Sequence, residues 1–109
     1  MPITYKVLGQ LEPTAATLQT LYTVPSATSA VCSTITFANL SGNTDRIRIA
    51  VRPAGESIAD KHYITYDETL LGATSGAITV GITLATTDII SVYSSTGNTA
   101  FNLFGSEIS

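Results

Sequence analysis

Asp45-Arg46-Ile47-Arg48-Ile49-Ala50-Val51-Arg52 alternates without a break. Ile47, Ile49 and Val51 fall on one side. Arg46, Arg48 and Arg52 fall on the other, with Ala50 between them. A period of two residues is that of a β-strand, not a helix. One apolar and one charged face marks an antiparallel sheet buried on one side. A parallel strand covered on both faces would be apolar throughout. Pro53-Ala54-Gly55-Glu56 breaks the pattern, as proline and glycine do at the end of a strand.

The same alternation recurs outward in both directions. Strands are predicted at about 3–9, 18–24 and 30–38 before this stretch, and at about 61–67, 77–82, 88–94 and 99–105 after it. Asn39-Leu40-Ser41-Gly42-Asn43 reads as a turn, because Gly and Asn tolerate positive φ. The best helical candidate, Leu11–Leu18, contains Pro13 and lies in a Thr-rich stretch that disfavours a helix. Eight or so short strands separated by turn signals predict one all-β domain over residues 1–109. Its architecture is a two-sheet antiparallel β-sandwich, jelly-roll or immunoglobulin-like. The immunoglobulin mark of two Cys flanking a Trp is missing, since the chain has one Cys and no Trp.

Composition narrows the function classes. Hydrophobic residues make 44% of the chain and charged residues 12%, about half the usual charged share. Thr (18) and Ser (11) supply the missing polarity. A net charge of −3 and this apolar content argue against disorder, and no apolar run is long enough to suggest a membrane helix. The acidic balance disfavours nucleic acid, which needs a basic surface to neutralise phosphates. Cys32 is alone, so an internal disulfide is excluded, and its strand-like surroundings suit a small buried hydrophobe. The N-terminal residues lack a basic segment followed by an apolar run, so no signal peptide is expected. Asn39-Leu40-Ser41 matches a glycosylation sequon, which would mean nothing without secretion.

Catalytic chemistry is hard to assemble from these residues. Asp60 to Glu68 is the densest stretch, with His62, Tyr63 and Tyr66 among four charged groups. His62 has no second His to share a metal, and its expected role is to pack beside Tyr66 and hydrogen-bond a neighbour. Asp67 and Glu68 are adjacent, so on a strand they face opposite ways and cannot work as a catalytic pair. No nucleophile elbow, phosphate loop or dinucleotide fingerprint occurs. No enzyme activity, cofactor or metal is expected. The arginine stripe has two readings. Arg46, Arg48 and Arg52, with Asp60 and His62 nearby, can form a protein-contact surface for an acidic partner or a neighbouring subunit. Alternatively they pair across strands with Asp60, Asp67 or Glu68, if the fifth strand lies beside the fourth. Tyr63, Tyr66, Tyr93 and Phe101 also offer rings that could stack on a sugar, although aromatics at strand spacing usually belong to a core.

A flat, weakly charged Thr/Ser surface packs easily against other proteins, and few lysines guard the strand edges. Both features suit life in an assembly. Several stretches carry a resemblance: Tyr5-Lys6-Val7-Leu8-Gly9-Gln10; Leu21-Tyr22-Thr23-Val24-Pro25 with Ala30-Val31-Cys32-Ser33-Thr34-Ile35; Arg48-Ile49-Ala50-Val51-Arg52-Pro53-Ala54-Gly55 leading to Lys61-His62-Tyr63-Ile64; and Gly81-Ile82-Thr83-Leu84 with Asp88 to Tyr93, closing at Phe104-Gly105-Ser106-Glu107-Ile108. Together they resemble a family of small structural proteins of tailed bacteriophages of aquatic bacteria, including cyanophages. The resemblance implies a β-sandwich virion component, assembled in the host cytoplasm, either a capsid decoration (cement) protein or a tail or fibre part. It implies other virion proteins as partners, major capsid or tail proteins, and transfers no catalytic residue. Symmetric particles favour a closed homo-oligomer such as a trimer. Neither nucleic acid nor membrane is an expected partner. The alternative is a receptor- or carbohydrate-binding module on a fibre.

Overall fold

The computed structural model describes residues 2–79 and 81–109; Met1 and Val80 lie outside them. Nine strands follow one another: β1 (Ile3–Leu11), β2 (Gln19–Thr23), β3 (Ser29–Asn39), β4 (Asp45–Arg52), β5 (Tyr63–Leu70), β6 (Ser75–Ile78), β7 (Ile82–Leu84), β8 (Ile89–Ser94) and β9 (Thr99–Ile108). The only helical pieces among the described residues are two single 3-10 turns, Pro53–Gly55 and Asp60–His62. Residues 11–18 form no helix.

All pairings are antiparallel. One sheet runs β1-β9-β3-β6, with β7 also on β3; the other runs β2-β8-β4-β5. The expected sixth strand at 77–82 is thus two short ones, β6 and β7, both laid along β3. Taken as one interrupted strand, they complete a ribbon of pairs: β1 with β9, β2 with β8, β3 with β6 and β7, β4 with β5. Wound up, that ribbon is a jelly roll. This settles the choice left open by strand pattern, because, with β6 and β7 counted as one, only β4 and β5 of the sequential strands share a sheet.

The two inner faces close on one core, built from Leu21, Ile35, Ile47, Ile49, Leu84, Ile90, Val92, Phe101 and Leu103 among others. Cys32 belongs to it, and burial pushes its thiol pKa up to about 11. Ile47 and Ile49 are buried as the alternation requires. Removing one methyl at this site in Ile49→Val should cost about 1 kcal/mol. A thermal melt should show it as a fall of several degrees.

The core also holds polar groups, all of them paired; no buried side-chain N or O atom among the described residues lacks a partner. Asp45, which opens β4, is completely buried. Its carboxylate accepts from the Ser94 hydroxyl (2.5 Å), the Ser95 hydroxyl (2.8 Å), the Thr96 N–H (3.1 Å), the Arg46 N–H (2.7 Å) and the Thr99 hydroxyl. Asn39, at the end of β3, donates its amide to the carbonyls of Asn43 (2.7 Å), Leu70 and Leu71 (3.2 Å each) and accepts from Ser41. That amide binds the turn after β3 to the turn after β5, which leaves no free nitrogen for the sequon chemistry. At the far end of the core the Tyr22 hydroxyl donates to Glu107 (2.6 Å), whose other oxygen meets Lys6 (3.2 Å). Burial, then this hydrogen bond, raises the Tyr22 pKa; the same bond lowers that of Glu107.

Candidate functional site

The outer face of the β2-β8-β4-β5 sheet carries the arginine stripe, and β5 does lie beside β4. The register between them is Ile47↔Glu68, then Ile49↔Thr65. Arg48 alone therefore stands opposite two residues, Tyr66 and Asp67. That is a β-bulge, and bulges swing neighbouring side chains onto one face. Asp67 adopts φ of 52°, which a plain strand would not allow. Tyr66 and Asp67, which a plain strand would point to opposite faces, both reach Arg48 as a result. A second shift, Ile49↔Thr65 then Ala50↔Tyr63, displaces Ile64 as well.

The consequence is a fixed guanidinium. Arg48 Nε donates to Asp67 Oδ1 at 2.6 Å. Its planar group lies 4.3 Å from the ring centres of both Tyr66, on β5, and Tyr93, on β8. Tyr63 meets Tyr66 edge-to-face at 4.9 Å. Cation–π stacking and a charge-assisted hydrogen bond together hold one rotamer of a side chain that is usually mobile. The hydrogen bond raises the Arg48 pKa and lowers that of Asp67. Cross-strand pairing with Asp67 is thus observed. Asp67 and the two tyrosines leave Arg48 half-buried, with part of its surface turned outward.

The other named residues separate. Arg46 is exposed, with a long 3.5 Å contact from Nη1 to the Asp67 carbonyl. Arg52 is spent on the fold: it donates to the carbonyls of Glu56 (2.8 Å) and Gly55 (3.3 Å) and to the Ser91 hydroxyl (3.2 Å). These bonds fold the 53–62 connection back over the sheet, where Asp88 also accepts from the Ala54 N–H at 2.8 Å. Asp60 is exposed and, with Tyr63 and Tyr66, lines a cavity of about 450 Å³.

His62 departs from expectation. It does not sit on β5, whose first residue is Tyr63, but in the 3-10 turn before it, and it is buried while Ile64 and Tyr66 are exposed. Its Nδ1 accepts from the Ala59 N–H (3.0 Å), so Nε2 carries the proton and donates to Glu56 Oε1 (3.1 Å). The ring closes the loop and offers no surface to a partner. Phe101, named as a stacking ring, is fully buried in the core against Phe37. Among the described residues, no group of three His, Cys, Asp or Glu side chains could hold a metal ion. No helix there is long and apolar enough to cross a membrane.

No family model matches this sequence, and no curated protein matches it. Among solved structures, the chain is similar in fold to one in the structure of infectious bursal disease virus Gx strain. The identity is 12% and the TM-score 0.48, covering 97% of this chain and 31% of that one. This chain therefore spans about a third of the length of that match.

Proposed function

We propose that this chain is a non-enzymatic structural component of a virion. It acts through protein–protein contacts as a capsid decoration protein or as a tail- or fibre-associated part of a tailed phage. Its partners are other virion proteins, and it works as a homo-oligomer. The observation that carries the contact reading is the Arg48 cluster. A guanidinium clamped by Tyr66, Tyr93 and Asp67 has lost its rotamer freedom before any partner arrives, and Arg and Tyr are the residues that most often dominate interface energy. Arg46 and Asp60 flank it and are exposed. Arg52 and His62 hold the loop that frames this face. The particle itself is supported by the phage-family resemblance and by the lightly charged Thr/Ser surface.

The test is an image of the intact particle at a resolution that traces the chain. Density at regular positions on the shell or tail, with the Arg48 face against a neighbour, is the expected result. A purified particle without the chain would overturn the reading. In parallel, Arg48→Ala should reduce binding to particles by roughly tenfold or more. The cost to folding should stay at about 1–3 kcal/mol, because a half-exposed ion pair contributes under about 1 kcal/mol and each partly exposed cation–π contact about 0.5–1 kcal/mol. A large fall in unfolding temperature with normal incorporation would assign the arginine to the fold instead.

The carbohydrate-binding alternative has one observation in its favour: the cavity at Asp60, Tyr63 and Tyr66 joins a carboxylate to two aromatic rings. Glycan-array binding lost in Tyr66→Ala, without a fixed place on the particle, would favour it.

A further inference from the structure

β1 pairs with β9 on one side and ends the five-stranded sheet on the other. The direction of its unpaired backbone groups can be read from one hydrogen bond. The Ser109 N–H donates to the Pro2 carbonyl at 3.2 Å. Both backbone groups of a strand residue face the same neighbour, and successive residues alternate. Thr4 and Lys6 therefore turn theirs to β9, opposite Glu107 and Gly105. Ile3, Tyr5 and Val7 turn theirs to the free edge. These same residues expose apolar side chains, Ile3 at 53%, Tyr5 at 82% and Val7 at 46%.

We propose that β1 pairs with β1 of a second copy of this chain, antiparallel, about a two-fold axis at Tyr5. Ile3 of one copy then faces Val7 of the other, Tyr5 faces Tyr5, and Val7 faces Ile3. Each of these pairs exchanges two backbone hydrogen bonds. A second copy is the fitting occupant because the edge is complementary to itself. Its segment is chemically symmetric about Tyr5: a β-branched residue two positions away on each side, and Thr4 set against Lys6 between. No like charges meet. Lys6 is the only charge on the edge, and a free edge lysine would discourage pairing. Here it is drawn off by Glu107 at 3.2 Å. Behind the edge, Tyr5, Val7, Val31, Phe104 and Ser106 line an open groove of about 640 Å³. It gives the paired tyrosines an apolar floor.

The other edges do not offer this. β2, the border of the other sheet, is five residues long with a register shift between Thr20 and Tyr22; β5 is bulged twice; and β6 and β7 are four and three residues long, whereas the shift in β1 comes only after Val7. A trimer would need two different surfaces that fit each other, whereas a two-fold contact needs one that fits itself. The pairing does not depend on which particle, if any, carries the chain.

Sedimentation equilibrium of the full chain tests it. The expected mass is twice 11.4 kDa. Tyr5→Pro removes an N–H that faces the free edge and leaves the β9 ladder whole, so it should raise the dimer dissociation constant by at least about tenfold. Its circular dichroism spectrum should be unchanged. Thr4→Pro removes an N–H facing β9 and should damage the fold instead. Tyr5→Cys places two thiols across the axis at a hydrogen-bonded pair, a spacing of about 5.5 Å between Cα atoms that a disulfide spans. Oxidation should give a covalent dimer, with buried Cys32 silent. Should Tyr5→Pro disturb folding, this cross-link decides. A monomer at every concentration, a trimer, a dimer indifferent to a folded Tyr5→Pro, or failure of Tyr5→Cys to cross-link would each overturn the proposal.

Discussion

Asp45→Ala is expected to cost roughly 3–5 kcal/mol. The variant strands the hydroxyls of Ser94, Ser95 and Thr99 and the N–H of Thr96 around an empty site. Each buried donor left without a partner costs about 1–3 kcal/mol, offset in part where water enters or hydroxyls turn to one another. The carboxylate also sets an acid limit. Burial alone would push its pKa up; the hydrogen bonds from Ser94, Thr99, Ser95 and Thr96 outweigh that and bring it down from 3.8 to about 2. A pKa lowered in the folded state means stabilisation that is complete above the unfolded value. It declines as pH falls from about 4 toward 2 and is gone below that. The contribution is roughly 2–3 kcal/mol. Urea unfolding from pH 7 to pH 2 should show the wild-type chain losing this amount at the acid end. Asp45→Asn should be weaker at pH 7 and show a shallower acid slope. Glu107 and Asp67 are lowered too, so some slope remains in the variant. An unchanged slope would mean that Asp45 is not the group that titrates.

Asn39→Ala should follow, at about 2–4 kcal/mol. The side chain joins two turns that are distant in sequence: its amide serves Asn43 on one and Leu70 and Leu71 on the other. The Ala73 N–H to Ser41 carbonyl bond, 2.7 Å, is part of the same seam. The turns come so close that a Cβ on Gly72 would lie 2.3 Å from the carbonyl carbon and oxygen of Gly42. Gly72→Ala must therefore push the turns apart, and it should weaken the protein in the same way without touching Asn39. Asn39→Asp separates hydrogen bonding from shape, because it sets one carboxylate oxygen, in place of the amide nitrogen, against three carbonyls. Thermal melts should rank it at or below Asn39→Ala. An Asp variant as stable as wild type would rule out the amide as the clamp. For a domain of this size each kcal/mol corresponds to about 4–8 °C, so both effects are large on a melt.

Most strands could be read from the chain because inner and outer residues alternate so plainly, as β4 and β9 illustrate; β3 alternates too, but its buried face changes parity at the bulge between Cys32 and Thr34, from Ala30 and Cys32 to Ile35 and Phe37. What stayed hidden depends on a second strand. The bulge at Tyr66 and Asp67 is not written in β5 itself; it arises from how β5 must fit β4, and it is what gathers Arg48, Tyr66 and Asp67. The break between β6 and β7 likewise belongs to their shared pairing with β3. The expected strand at 61–67 misplaces His62 because its alternation runs two residues beyond the start of β5, into the turn Asp60–His62. Asp45 is a different case. It shares the parity of Ile47 and Ile49, so its inward position was legible, but its partners come from β8, β9 and the turn between them. Alternation says which way a residue faces and not what it meets there.

The interrupted β6–β7 margin has a consequence for assembly. A sheet with two open borders can add neighbours without limit, the geometry of a fibril. In the five-stranded sheet one border is cut into pieces and the other, β1, runs without a register shift from Ile3 to Val7. The facing sheet ends in β2 and β5, and each of these is broken by a shift in register. Once the Ile3–Val7 run is occupied by a like run, no regular border of that length remains on which to add a third member. Growth then ends at a pair, and a Thr-rich chain with little charge to keep copies apart is spared open-ended stacking.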